Sequence, residues 1–204
     1  MISVCIYFLA KNPDIQEKLF QEINDAEYNE NTKDYNTVMG LQYLDMVVHE
    51  AMRHAPILEI GRLCVKDYKV PGTNFTVPKG MLIQMSAPGI MMDERYFPNP
   101  SRFDPEHFSP RNKEKRNPYA FLVFGIGPRN CIGSRLGLLQ VKVGIAQMVH
   151  KFKIVATPRT PAKFEVNPTN QTGIEMKGGT WVKFERRGVR GRRLSRQGSL
   201  LLEA

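Results

Sequence analysis

The stretch Phe124–Gly133, FGIGPRNCIG, decides how this chain is read. It sets Cys131 just ahead of the longest apolar-rich run, residues 134–151, whose pattern predicts a helix. Unpaired backbone N–H groups and the positive end of the macrodipole gather at a helix start, so an anion is favoured there. A cysteine so placed is expected as thiolate, the form that binds metal. Gly125, Gly127 and Gly133 let the backbone lie flat where a Cβ would collide with a large planar ligand. Pro128 fixes the turn, Arg129 can reach an anionic group on such a ligand, and Phe124 can keep water from the sulfur. A buried structural cysteine is the plainer reading of any one such residue. Here several residue choices at fixed spacing agree on one use.

Outward from the loop, Leu136, Leu138, Leu139, Val141, Val143, Ile145, Ala146, Met148 and Val149 cover most faces of the helix, which predicts burial on nearly every side. Short strands are expected after it, around residues 153–155, 164–166 and 181–184. Before the loop, residues 93–118 are dense in proline, aromatics and charge without a sustained period. They read as a packed, irregular meander in which Tyr96, Phe97, Phe103, Phe108 and the adjoining Tyr119 need burial. Between Cys64 and Met85 the turns Pro71-Gly72 and Pro78-Lys79-Gly80 separate short extended runs, a small sheet. Asn12-Pro13-Asp14 reads as a helix start, with cap, first-turn proline and acid in order. Ile15, Leu19 and Ile23 carry that helix to about Asp25. A second helix is expected from about Thr37 to Arg53, with Leu41, Leu44, Val48 and Ala51 as its stripe and Pro56 ending it. The fold class is mainly α with small β-sheets, α+β.

Cys5, Cys64 and Cys131 are an odd and sparse set, which argues against a disulfide scaffold and for a reducing compartment. The net charge of +9 is concentrated at the end, where residues 186–204 hold six arginines and one glutamate. The charge therefore does not argue for a nucleic-acid surface on residues 1–185, and no nucleic-acid partner is expected. Residues 186–204 read as a disordered basic tail, apolar only at Leu200–Leu202. That tail alone would support a basic interaction module; its Arg192-Arg193-Leu194-Ser195 has the form of a basophilic kinase site, a pattern common by chance. The apolar start, residues 1–10, is about half of a membrane span and lacks a signal peptide's basic region and cleavage site. It reads as the last turns of a buried helix.

The pattern F-x-x-G-x-R-x-C-x-G, filled by Phe124, Gly127, Arg129, Cys131 and Gly133, resembles the signature of the cytochrome P-450 monooxygenases. The run LGLLQVKVGIAQMVHKFKI, residues 136–154, resembles the insect microsomal members that oxidise xenobiotics and endogenous lipophiles. The resemblance implies the C-terminal part of that fold, incomplete, with residues 1–185 binding haem b (iron protoporphyrin IX). Cys131 would be the axial iron ligand, with Phe124, Gly125, Gly127, Arg129 and Gly133 around the cofactor and Arg62 on a propionate. Glu50-Ala51-Met52-Arg53 matches the family's Glu-x-x-Arg, 81 residues before the cysteine, which locks against an arginine of a Pro-Glu-Arg-Phe segment. An exposed pair at this spacing is worth only a few tenths of a kcal/mol, roughly. The corresponding segment here, residues 103–108, has His107 in place of that arginine. A histidine can donate to Glu50 but is shorter and readily neutral near pH 7, so a weaker lock is expected. Val123 also replaces a usual proline. Ile57, Leu58 and Ile60 would line the distal substrate pocket, with residues 172–174 touching it. His49-Glu50-x-x-Arg53 is not a zinc motif, because a guanidinium cannot ligate; His54, His107 and His150 read as structural.

The implied reaction inserts one oxygen atom from O₂ into a lipophilic small molecule. NADPH supplies electrons through a flavoprotein reductase at the cytosolic face of the endoplasmic reticulum membrane. The resemblance spans about Ile2 to Arg186, under half of a full-length member. The membrane anchor, a helix carrying a propionate-binding tryptophan, and most of the central helix over the iron are not in it. The 204 residues are therefore expected to be a truncated portion with little or no turnover. A non-catalytic haem-binding or interaction fragment is the alternative.

Overall fold

The computed structural model describes residues 1–26, 34–55, 60–167 and 175–188. In chain order they form α1 (Ile2–Lys11), α2 (Pro13–Asp25), α3 (Tyr35–Gly40), α4 (Gln42–His54), β1 (Ile60–Leu63), β2 (Tyr68–Lys69), β3 (Thr76–Val77), β4 (Leu82–Met85), α5 (Ala87–Met91), α6 (Pro110–Lys115), α7 (Ser134–Lys151), β5 (Phe152–Ala156) and β6 (Val182–Arg186). Single 3-10 turns at Pro105–Phe108 and Pro118–Ala120 punctuate the meander. The strands pair antiparallel in three two-stranded sheets, β1 with β4, β2 with β3 and β5 with β6. This is the expected mainly helical class with small sheets.

The core is α1 laid against α4 and α7. Seven consecutive residues of α1, Val4 to Ala10, are buried, as a helix apolar on every side requires. It packs tightly on α7 at Gly144, where a Cβ would stand 2.9 Å from Ile2 Cδ1. Asn12 serves α1 rather than α2: its side-chain amide donates to the Phe8 carbonyl at 2.8 Å, and α2 starts on Pro13 and Asp14 without a side-chain cap. Gln16, 1 % exposed, ties three elements together. Its amide donates to the carbonyls of Leu9 (2.9 Å) and Ile154 (2.8 Å) and accepts the Ile154 N–H (2.8 Å). Gln16→Leu strands those three backbone groups in the core, so we expect a loss of about 2–4 kcal/mol, read from urea unfolding.

The single helix expected over residues 37–53 is two. Leu41 is extended (φ −68°, ψ 102°) between α3 and α4, and the Glu22 carboxylate takes the N–H groups of Tyr43 (2.6 Å) and Leu44 (2.9 Å). A carboxylate from α2 thus opens the new helix where Gly40 weakens the old one. The stripe Leu41, Leu44, Val48 and Ala51 is buried as expected. The first sheet begins at Ile60, earlier than Cys64, and residues 164–166 contribute only an isolated bridge, Val166 to Met176.

Two burial expectations need correction. Only Val141, Lys142, Ile145, Ala146 and Val149 of α7 are buried, and Leu136 is 60 % exposed. The helix packs on α1, α2, α3 and α4, and its buried residues all lie between Val141 and Val149. In the meander, Phe97, Phe103 and Phe108 are buried, but Tyr119 is exposed because Ala120 is the residue its 3-10 turn presents to the core. Regular structure also runs past residue 185: Arg186 ends β6, and Arg187 stacks on Phe20 (3.9 Å) and pairs with Glu17 (2.8 Å). The rest of the expected tail lies outside the described residues.

Candidate functional site

The ten residues Phe124–Gly133 form a tight arch ahead of α7. Gly125 (φ 68°) and Gly127 (φ 84°) take the left-handed backbone that glycine adopts without strain. No protein atom lies within 4 Å of a Cβ built on Gly127, so this glycine is required by backbone conformation rather than by crowding from the chain. The arch closes where the Cys131 N–H donates to the Phe124 carbonyl at 2.7 Å and the Asn130 N–H to the Gly127 carbonyl at 3.1 Å. Phe124 itself leans, partly buried, on the main core. Gly133 caps α7, which sets Cys131 two residues before the cap.

The three cysteines separate cleanly. Cys5 is wholly buried in α1, and burial pushes its thiol up to about 12, which keeps it protonated. Cys64 is half-buried and its Sγ donates to the Lys66 carbonyl. Cys131 is exposed, on the arch. Around it stand exposed apolar side chains, Ile126, Ile132 (fully exposed) and Leu136, and the guanidinium of Arg129 has no ion-pair partner among the described residues. Arg135, not singled out from the sequence, is exposed in the first turn of α7. Among the described residues no three His, Cys, Asp or Glu side chains cluster as metal ligands. An accessible thiol, a glycine-bearing arch, uncovered apolar side chains and free guanidinium groups fit a planar, anionic, metal-bearing group such as haem.

Other expected pocket residues are less gathered. Arg62 lies on β1 with its guanidinium turned back to the Gly61 carbonyl at 2.8 Å. Ile60 packs, half-buried, on the second core cluster with Met46, Met91 and Phe97. Ile57, Leu58 and residues 172–174 lie outside the described residues.

The lock is assembled in full. Glu50 and Arg53, both 0 % exposed, meet through two parallel hydrogen bonds of 2.8 Å, Arg53 Nε to Oε2 and Nη2 to Oε1. Arg53 also donates to the carbonyls of Met91 (2.9 Å) and Pro100 (2.8 Å), which fastens both ends of the meander's first turn to α4. Glu50 accepts the Asp104 N–H at 2.9 Å, and His107 Nδ1 stands 3.2 and 3.3 Å from its two oxygens. Burial opposes the charge on Glu50, but hydrogen bonds from Arg53, His107 and His54 hold its carboxyl well below the usual range. Burial disfavours charge on His107, but the hydrogen bond to Glu50 outweighs it, so the ring's pKa is raised above its ordinary value.

Sequence reasoning missed a second charged cluster. Lys142 Nζ, 1 % exposed, contacts Asp45 Oδ1 at 2.7 Å, and Asp45 Oδ2 meets Lys113 (3.0 Å) and His49 (3.3 Å). A lone lysine between Val141 and Val143 in an apolar run was the available signal. The cluster joins α4, α6 and α7.

The cytochrome P450 family model matches residues 1–178. The chain is 39% identical over 168 residues to cytochrome P450 6k1 of Blattella germanica, a match covering 81% of this chain and 32% of that one. It is 41% identical over 167 residues to probable cytochrome P450 6a13 of Drosophila melanogaster (80% and 34%). It is 39% identical over 160 residues to cytochrome P450 3A15 of Cavia porcellus (78% and 31%). The chain thus spans about a third of the length of the curated relatives it matches. No helix among the described residues is long and apolar enough to cross a membrane.

Proposed function

The chain belongs to the cytochrome P450 family, and on that premise we propose that it is the haem-thiolate portion of a monooxygenase, in which Cys131 would hold the iron of haem b. The observation that carries this reading is the Cys131 thiol, exposed on a glycine-bearing arch just ahead of α7. Phe124, Gly125, Gly127 and Gly133 would form the floor beneath the porphyrin. The backbone bond from Cys131 to Phe124 fixes the turn that carries the sulfur, and the exposed Ile126, Ile132 and Leu136 would offer apolar surface to the porphyrin. Arg129 and Arg62 would meet the propionates. Glu50, Arg53 and His107 bind the meander to α4 and keep this side of the molecule rigid. When bound, haem supplies the O₂ activation by which one oxygen atom enters a lipophilic small molecule.

The same premise supports electrons from NADPH through a flavoprotein reductase, a site at the cytosolic face of the endoplasmic reticulum membrane, and lipophilic substrates of the kind that insect xenobiotic-type members oxidise. Ile57, Leu58 and Ile60 are proposed for the distal pocket. With a third of its relatives' length, the 204-residue chain alone is expected to turn over little or no substrate. Supplying the remaining polypeptide of a relative in trans separates a split enzyme, whose oxidation returns, from a non-catalytic haem-binding fragment.

The test of the ligand is absorption of the reduced, CO-bound protein after loading with haem. Thiolate ligation red-shifts the main band. Cys131→Ala should abolish that shift, whereas Cys5→Ala and Cys64→Ala should keep it; an unshifted band in the unaltered chain would sink the assignment.

A further inference from the structure

We propose that His107 is a protonated clasp between Glu50 and the Pro98 carbonyl, and that losing its proton loosens the meander from α4, so that the fold weakens on the alkaline side. The inference rests on the contacts around His107 and holds whether or not the chain binds haem.

The geometry sets the charge. Nδ1 faces both oxygens of Glu50 at 3.2 and 3.3 Å, and Nε2 faces the Pro98 carbonyl at 2.8 Å. Both partners can only accept. A neutral imidazole carries one N–H and would turn a lone pair against one of them, whereas the imidazolium donates to both. An arginine at this place would be charged at every accessible pH; a histidine makes the contact conditional.

The other charged groups around the ring do not substitute for that proton. From α4, Arg53 is committed to Glu50, and His54 Nε2 stands 3.3 Å from Glu50 Oε1. Beside the ring, Asp104 accepts the Glu106 N–H, and Glu106 pairs with Lys18 of α2 at 3.1 Å. Arg95 pairs with Asp93. Arg116 donates to the carbonyl of His107 itself (2.6 Å) while stacking on Phe97 and Phe108, so its charge bears on the backbone and not on the ring nitrogens. An open cleft of about 520 Å³, which Lys115 also lines, reaches His107 and provides a route for protons.

Nitrogen-15 NMR of the imidazole in the full chain reads the proposal directly. His107 should carry protons on both ring nitrogens at neutral pH and titrate above the ordinary histidine value of about 6.5. The stability profile follows by sign. A folded-state pKa raised above the unfolded one contributes fully below the unfolded value and is lost as pH rises through the folded one. The folding constant should fall up to about tenfold per pH unit between the two values, then level. His107→Arg keeps its charge and should flatten that alkaline fall. Titration at or below about 6.5, or parallel profiles for the unaltered chain and His107→Arg, overturns the proposal. Should His107→Arg fail to fold, the NMR titration of the unaltered chain decides alone.

Discussion

Glu50→Gln should destabilise the chain by about 3–5 kcal/mol at neutral pH, although it changes the side chain's volume hardly at all. An amide keeps one acceptor and turns an N–H₂ toward Arg53 or His107, which are themselves donors. Arg53, 0 % exposed, then becomes a buried cation whose counter-charge is gone. The same Glu–x–x–Arg spacing on a solvated helix surface would cost only a few tenths of a kcal/mol, roughly, so burial accounts for the difference. Urea unfolding at neutral pH measures the loss. The pH dependence gives a second reading. Because the carboxyl of Glu50 is held below its ordinary value, its contribution is present above about 4.3 and lost as pH falls below that, so the variant should show a shallower acid limb. A loss under about 1 kcal/mol, or an unchanged acid limb, would mean that the lock holds little of the fold together.

That contrast marks the limit of what sequence conveyed. The arch was legible because its chemistry is local: ten consecutive residues specify turn, thiol and helix start. The Glu50–Arg53 spacing was legible too, but not its energy, since that depends on α4 being covered by the meander. His107 was read as a weak substitute because the Pro98 carbonyl, a backbone group nine residues away, leaves no signature in side-chain identity. The apolar run of α7 stated which residues favour burial, yet Leu136 is exposed because periodicity cannot say whether a partner surface is present. The break at Leu41 depended on a carboxylate from another helix, Glu22, reaching two N–H groups. These details depend on what other parts of the chain bring to a residue, which local propensity does not encode.

The Lys142–Asp45 pair is the largest such miss, and a double-mutant cycle should expose its asymmetry. Asp45→Asn removes the counter-charge of a lysine that is 1 % exposed and has no other ion-pair partner among the described residues; the expected cost is about 3–5 kcal/mol. Lys142→Met should cost less, about 1 kcal/mol, because Asp45 keeps Lys113 and His49 and methionine's unbranched apolar chain fills nearly the same space. The double variant, Asp45→Asn with Lys142→Met, buries no unpaired charge and should return to within about 1–2 kcal/mol of the original. Strict additivity in thermal or urea unfolding would show that the pair is no interaction at all. Strong coupling makes it a rivet between α4, which carries the Glu50–Arg53 lock, and α7, which begins at the Cys131 arch. In that case the haem-loaded Asp45→Asn variant should also lose part of its red-shifted CO band, since the helix that positions the thiol would no longer be held to the one that positions the meander.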